Sequence, residues 1–170
     1  MKSKDKRIKI YKKCSYIKIK SILDKLVSFL LIISILPLLI LIALLIKFSS
    51  RGPVFYSQER LGKNLIKFNC LKFRTMHPEA DDILKNLLKK NKKLKKEFEM
   101  THKIKNDPRI TIIGKILRKT SLDELPQFIN VLRNEMSIVG PRPIVYAETK
   151  KYDKNLKKVF SVNPGITGLW

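Results

Sequence analysis

The run Arg118-Lys119-Thr120-Ser121-Leu122-Asp123-Glu124-Leu125-Pro126-Gln127 places two adjacent carboxylates just after a basic pair, and Gly140-Pro141-Arg142-Pro143 follows downstream. An ionised carboxylate can act as a nucleophile, and two side by side offer hard oxygen ligands to Mg²⁺. Arg118 beside them would attract a phosphate through charge-assisted hydrogen bonds. Upstream, the chain carries an apolar stretch long enough to enter a bilayer. Carboxylates among cations, tethered to a membrane, point to chemistry on a phosphate that is itself membrane-bound.

The elements that must position this pair follow from local pattern. Asp123 as an N-cap puts Pro126 inside the first turn of a helix, where a missing N–H is tolerated. That helix would run to Arg133, burying Leu125, Phe128, Ile129 and Leu132, and Asn134 can end it in a left-handed conformation. Capping and catalysis are compatible, because a helix N-terminus favours negative charge and would keep Asp123 ionised. Upstream, Asp107-Pro108-Arg109-Ile110-Thr111 marks a turn into the apolar element Ile112–Leu117. Arg51–Tyr56 reads as a turn and short strand, Gln58–Asn64 as a polar turn and Ile66–Arg74 as a second strand, together a β-hairpin. Alternation would send Lys72 and Arg74 to one face, either a solvated charged face or phosphate contacts. Residues 79–98 read as one helix with Leu84, Leu87, Leu88, Leu94 and Phe98 on one side. It is either a soluble amphipathic helix or one lying on a membrane surface. His77 and His102 lack a second ligand at metal spacing and read as surface histidines.

Residues 26–46 contain no charge and are bracketed by Lys25 and Lys47. As a helix they would span roughly 31 Å, about one hydrocarbon core. A single transmembrane helix is the plain reading. Two features favour re-entry instead. Pro37 near the middle removes a backbone hydrogen bond, with Ser34 nearby to satisfy freed groups. Both flanks are basic, and residues 1–25 hold ten Lys or Arg against two Asp. The positive-inside rule keeps both on the cytoplasmic side.

The 170 residues support one domain plus a membrane element, and the formal net charge of +23 calls for an anionic partner. Anionic membrane lipid comes first. Nucleic acid is set aside, since no base-stacking aromatic cluster or nucleic-acid motif appears. Cys14 and Cys70 have neither metal nor redox spacing, which fits a reducing cytoplasmic setting. The organisation is therefore a basic segment over 1–24, either a disordered tail or an interfacial element, a membrane helix over 25–47 and a cytoplasmic domain over 48–170.

These motifs resemble the bacterial sugar transferases of the small monotopic phosphoglycosyl transferase family. The residues that carry the resemblance are Gly52-Pro53-Val54-Phe55, Gln58–Lys63, Lys72-Phe73-Arg74-Thr75-Met76, Asn106–Arg109, Leu117–Gln127, Asn130-Val131-Leu132, Met136–Pro143 and Pro164–Gly168. The resemblance implies transfer of a phospho-sugar from a UDP-sugar to undecaprenyl phosphate, with release of UMP. It implies Asp123 as nucleophile, Glu124 supporting Mg²⁺ or acid–base chemistry, Arg118 on a phosphate and Arg142 on the nucleotide. Lys72 and Arg74 are further phosphate candidates. The fold it implies is α+β: a re-entrant membrane helix hairpin, and a small, mostly helical cytoplasmic catalytic domain with amphipathic surface helices and a short β-hairpin.

Three departures stand out. Leu36 occupies the position of the family's serine before the hairpin proline. Asn134 replaces a common glycine. The family continues past the position of Trp170, so the resemblance implies a shortened C-terminus. Two other readings fit part of the pattern: an inactive truncated member, or a non-catalytic membrane-anchored basic protein. Sugar identity, pathway and oligomeric state are not encoded in these motifs.

Overall fold

The first element, α1 (Lys2–Ser49), is a single helix with Pro37 inside it. The computed structural model describes residues 2–91, 94–96, 98, 104, 107–152 and 155–168, with side chains from Tyr16 onward apart from that of residue 151. Cys14's side chain, His102, Asn106, two lysines of the 89–96 run and Trp170 therefore lie outside the described residues. The segment Tyr16–Ser49 is long and apolar enough to cross a membrane. The helix–break–helix expected at Pro37 is not present as two elements. A proline removes one ladder bond, and in an otherwise strong helix-forming run that loss does not end the helix. Ser34 Oγ donates to the Leu30 carbonyl at 2.9 Å. That is an ordinary helix back-bond, not a rescue of the carbonyl that Pro37 leaves unpaired.

The chain forms two compact units. One comprises Met1–Leu36, Ser57–Leu71 and Pro126–Trp170, and the other Pro37–Tyr56 and Lys72–Leu125. The strands β1 (Phe55–Leu61) and β2 (Lys67–Phe73) are neighbours in a two-stranded sheet. Residues 62–66 connect them, too few for a parallel crossover, so the pair is a hairpin. The first strand runs to Leu61, so residues expected in the turn lie in the strand. The reversal instead uses Asn64 and Leu65 at positive φ (55° and 64°).

In the first unit, α1 docks through polar contacts. Lys20 pairs with Asp24 at 2.6 Å, and Asp24 accepts from Ser137 Oγ at 2.6 Å. Ser21 Oγ donates to Asn134 Oδ1 at 2.8 Å. The helix α2 (Ala80–Lys90), which belongs to the second unit, ends where Asn91 turns extended (φ −134°, ψ 99°). Asn91 Oδ1 then accepts from Leu94 N at 3.0 Å. The single helix expected over 79–98 is thus divided at Asn91. Its side chain caps a new turn more readily than it continues the old one. Also in the second unit, α3 (Ile112–Thr120) starts from Thr111, whose Oγ1 accepts from Gly114 N at 2.9 Å. Back in the first unit, α4 (Gln127–Leu132) is followed by Asn134 at φ 62°, the left-handed stop expected from sequence.

The buried face of α4 departs from its apolar pattern. Gln127, Asn130 and Val131 are the residues fully covered, not Leu125, Phe128, Ile129 and Leu132. The reason is a backbone demand. Asn130 Oδ1 accepts from Leu71 N at 3.0 Å, while Nδ2 donates to Asn69 O at 2.8 Å and to Glu135 at 2.6 Å. One side chain completes the open edge of β2, so a polar residue is preferred inside. Around it pack Phe68, Cys70, Val131 and Met136.

A second sheet was not visible in the sequence pattern. The strands β3 (Ser137–Val139) and β4 (Gly165–Thr167) pair in parallel, Ser137 with Gly165 and Val139 with Thr167. Gly140 N then donates to Thr167 O at 3.0 Å and Gly165 N to Pro141 O at 2.8 Å. A Cβ on Gly165 would lie 2.1 Å from Gly140 N, so only glycine fits. The pairing joins the Gly-Pro-Arg-Pro loop to the Pro-Gly motif some twenty residues later. A short α5 (Leu156–Val159) lies between, contributing to a core of Leu61, Ile144 and Phe160.

Replacing Asn130 with Ala should leave the Leu71 N–H and Asn69 carbonyl without their partner. We expect a loss of about 1–3 kcal/mol, read as a drop in melting temperature of about 2–4 °C per kcal/mol in thermal denaturation.

Candidate active site

The second unit is built on an apolar cluster in which Ile42 and Ile46 of α1 are buried with Phe73 and Leu117. Leu122 and Leu125 pack against the same cluster. Between those two leucines the chain makes a 3₁₀ turn, Leu122–Glu124. Ser121 reverses the chain after α3 with φ 57°, and Leu125 N bonds back to Leu122 O at 3.3 Å. The turn holds Asp123 in place with only 8% of its surface exposed.

Asp123 is therefore not the N-cap expected from sequence. The helix begins at Gln127, capped by Pro126 without a side-chain bond. The leucines on each side of Asp123 find better burial in the cluster than an earlier helix start would give. The expected helix-dipole effect on Asp123 is replaced by another balance. Burial pushes its carboxyl above the usual carboxylate range, the Lys72 and Arg118 cations pull it back, and Glu124 adds repulsion. The net shift is upward.

Lys72 Nζ donates to Glu124 Oε1 at 2.6 Å. Arg118 Nε donates to Thr75 Oγ1 at 2.9 Å, which fixes the base of an otherwise exposed guanidinium. Asp123, Glu124, Lys72 and Arg118 thus share one unit and one core. Lys72 and Arg74 do not share a face. The strand ends at Phe73, and Arg74 turns away, buried, to donate to Ser50 O at 2.8 Å and Arg51 O at 2.9 Å. Arg74 thereby holds the two carbonyls that follow the end of α1. Gly52, at φ 115°, leaves the room it needs. Arg142 is an exposed residue of the other unit. His77 is half-buried, and its backbone N–H donates to Arg109 O at 2.9 Å.

Three supporting features were given no role by the motif reading. Thr75 is buried under Arg118, and its carbonyl accepts from Thr111 N at 3.0 Å. Gly114 lies so close that an added Cβ would sit 2.0 Å from Thr75 O. A lone glycine within an apolar helical run was the available signal. Asp107 and Arg109 form a buried pair with contacts of 2.7–3.1 Å. Burial would raise the Asp107 carboxyl, but the Arg109 hydrogen bonds and charge hold it below the usual range.

No cluster of three or more His, Cys, Asp or Glu occurs among the described residues. The donor set is two carboxylates, which suits Mg²⁺, an ion commonly held by one or two carboxylates plus substrate phosphates and water.

Residues 15–170 match the family model described as bacterial sugar transferase. The chain belongs to the bacterial sugar transferase family. It is 46% identical over 147 residues to the exopolysaccharide production protein ExoY of Sinorhizobium fredii, covering 86% of this chain and 65% of that protein. It is 47% identical over 119 residues to the undecaprenyl-phosphate galactose phosphotransferase of Salmonella typhimurium, covering 70% of this chain and 25% of the relative. It is 40% identical over 148 residues to the UDP-glucose:undecaprenyl-phosphate glucose-1-phosphate transferase of Escherichia coli, covering 85% and 29%. The chain thus spans from about two thirds to a quarter of the length of these relatives.

The upward shift of Asp123 has a signed consequence. In the window between its unfolded and folded pKa the folded chain binds the proton more tightly. Stability is therefore fully present below that window and falls as pH rises through it. Asp123→Asn should accordingly melt at higher temperature than the wild type at neutral pH. The gain should vanish as the pH is lowered below the carboxylate range, as followed by thermal denaturation in detergent.

Proposed function

We propose that this chain transfers a sugar-1-phosphate from a UDP-sugar to undecaprenyl phosphate at the cytoplasmic face of the bacterial inner membrane. The observation that carries the reading is the buried Asp123 beside the Glu124–Lys72 pair, next to a core to which the apolar helix α1 contributes Ile42 and Ile46. The activities named for the relatives, undecaprenyl-phosphate sugar phosphotransferases, support it.

Asp123 Oδ attacks the sugar-linked phosphorus of the UDP-sugar. A P–O bond to the carboxylate forms, the bond to the bridging oxygen breaks, and UMP leaves. A phosphate oxygen of undecaprenyl phosphate then attacks the same phosphorus and displaces the carboxylate. The products are undecaprenyl-diphosphate sugar and the regenerated aspartate. Splitting one transfer into two displacements is the advantage of covalent catalysis. Asp123 and Glu124 would hold Mg²⁺, which when bound offsets charge on the phosphate oxygens. Arg118 is anchored at Nε on Thr75, which aims its terminal nitrogens for a phosphate. Lys72 keeps Glu124 oriented and lowers the cost of the Asp123 charge. Arg142 contacts the nucleotide.

The raised Asp123 pKa suits the first displacement. A desolvated carboxylate is a better nucleophile than a hydrated one, and cation-rich surroundings keep it ionised when substrate phosphate and Mg²⁺ arrive. For the membrane, we propose that α1 enters and leaves by the cytoplasmic face, bending within the helix at Pro37. The basic residues on both flanks support this topology.

Two assays test the reading. UMP release from a panel of UDP-sugars, with Mg²⁺ and undecaprenyl phosphate in nanodiscs, should fall by about 10³-fold or more in Asp123→Ala. Lipid-independent release, or release that survives the substitution, would contradict it. Arg142→Ala should raise KM for the UDP-sugar by about 10- to 100-fold, the cost of a charged hydrogen bond, with membrane binding unchanged. Equal losses in both would remove Arg142 from the nucleotide site.

A further inference from the structure

A cavity of about 560 Å³ lies in the first unit, between the N-terminal part of α1 and the β3 region. It is separate from the Asp123 site, none of whose residues line it. Its walls carry four lysines, Lys18, Lys20, Lys25 and Lys63, against a single carboxylate, Asp24. That carboxylate is already engaged, by Lys20 Nζ at 2.6 Å and Ser137 Oγ at 2.6 Å. The ammonium groups of Lys18, Lys25 and Lys63 make no ion pair among the described residues. The remaining wall is apolar, from Ile17, Ile22, Met136 and Val139.

Position along α1 defines the ligand. Lys25 is the last charge before the uncharged stretch 26–46, so the cavity mouth sits where a bilayer's polar and apolar regions meet. Ile22 in its wall begins a row that continues on the same helix face through Leu26, Phe29 and Ile33, all exposed, an apolar track that needs lipid contact. Cations inside an apolar-walled recess, continuous with an apolar track, match a charged head carrying a hydrocarbon tail. A soluble anion would satisfy the lysines and leave the track bare.

We propose that this cavity binds the phosphate headgroup of an anionic bilayer phospholipid, with its acyl chains along the exposed face of α1. Lys18, Lys25 and Lys63 hold the phosphate, and the Lys20–Asp24–Ser137 linkage keeps the wall in shape. The inference rests on membrane insertion of α1 but not on the transferase chemistry, and its test reads binding rather than turnover.

The experiment is native mass spectrometry of the full chain released from detergent, titrated with phosphatidylglycerol or with phosphatidylcholine. The wild type should retain one phosphatidylglycerol in preference to phosphatidylcholine. The triple substitution Lys18→Ala, Lys25→Ala, Lys63→Ala should weaken that binding on the order of tenfold or more. An equal reduction of charge on α2, Lys85→Ala, Lys89→Ala, Lys90→Ala, should leave it unchanged. Equal retention of the two lipids, or equal loss in the two triple variants, would overturn the proposal. Displacement of the lipid by inorganic phosphate at matching concentration would also overturn it, assigning the lysines to a free anion. Thermal denaturation of both variants beforehand establishes that each is folded.

Discussion

The burial of Ile42 and Ile46 against Phe73 and Leu117 is the contact on which the candidate site depends. Each such side chain contributes about 1.5–3 kcal/mol when removed from water. These residues do more than anchor a tail. They make the second half of α1 part of the core on which Leu122 and Leu125 rest, and Asp123 is fixed between those two leucines. The apolar helix is therefore a component of the unit that holds the carboxylate pair rather than an appendage to it. Elsewhere along α1, Leu26, Phe29, Ile33, Leu36 and Ile40 are all at least 47% exposed, a surface that water does not tolerate over such a length and a bilayer does.

Two buried aspartates in this unit show how partners decide role. Asp107 receives the Arg109 guanidinium in a fork and the Arg109 N–H as well, at 3.0 Å, so its charge is satisfied and its carboxyl is held low. Asp123 has cations in range, but among the described residues none of them donates a hydrogen bond to its side chain, and burial dominates. The first arrangement is a structural clamp within the turn that enters α3. The second leaves a carboxylate with unspent capacity to bond, which is what a nucleophile or a metal ligand requires.

Much of the local architecture was legible in the sequence. The hairpin, the Thr111 turn into α3 and the left-handed Asn134 all followed from short-range chemistry, because turn and cap preferences act over a few residues. The departures came from distant partners. Asp123 does not cap a helix because its neighbouring leucines are claimed by a core formed with residues eighty positions away. Asn130 faces inward because the edge of β2 needs donors and acceptors that periodicity cannot register. Arg74 leaves the Lys72 face for the end of α1, and the parallel β3–β4 pair brings together two motifs with no local signal of pairing. The carboxylate pair and the nearby Arg118 were readable from residue type and spacing, while the burial of Asp123 and the pairing of Glu124 with Lys72 required the fold.

The most direct test of the account is an intact-mass measurement on the purified chain mixed with Mg²⁺ and a UDP-sugar it uses, with the lipid acceptor left out. A mass increase of one phosphosugar, mapped by fragmentation to Asp123 and discharged on adding undecaprenyl phosphate, is the expected result. UMP formation without any adduct, or an adduct on another residue, would contradict a mechanism in which Asp123 attacks phosphorus.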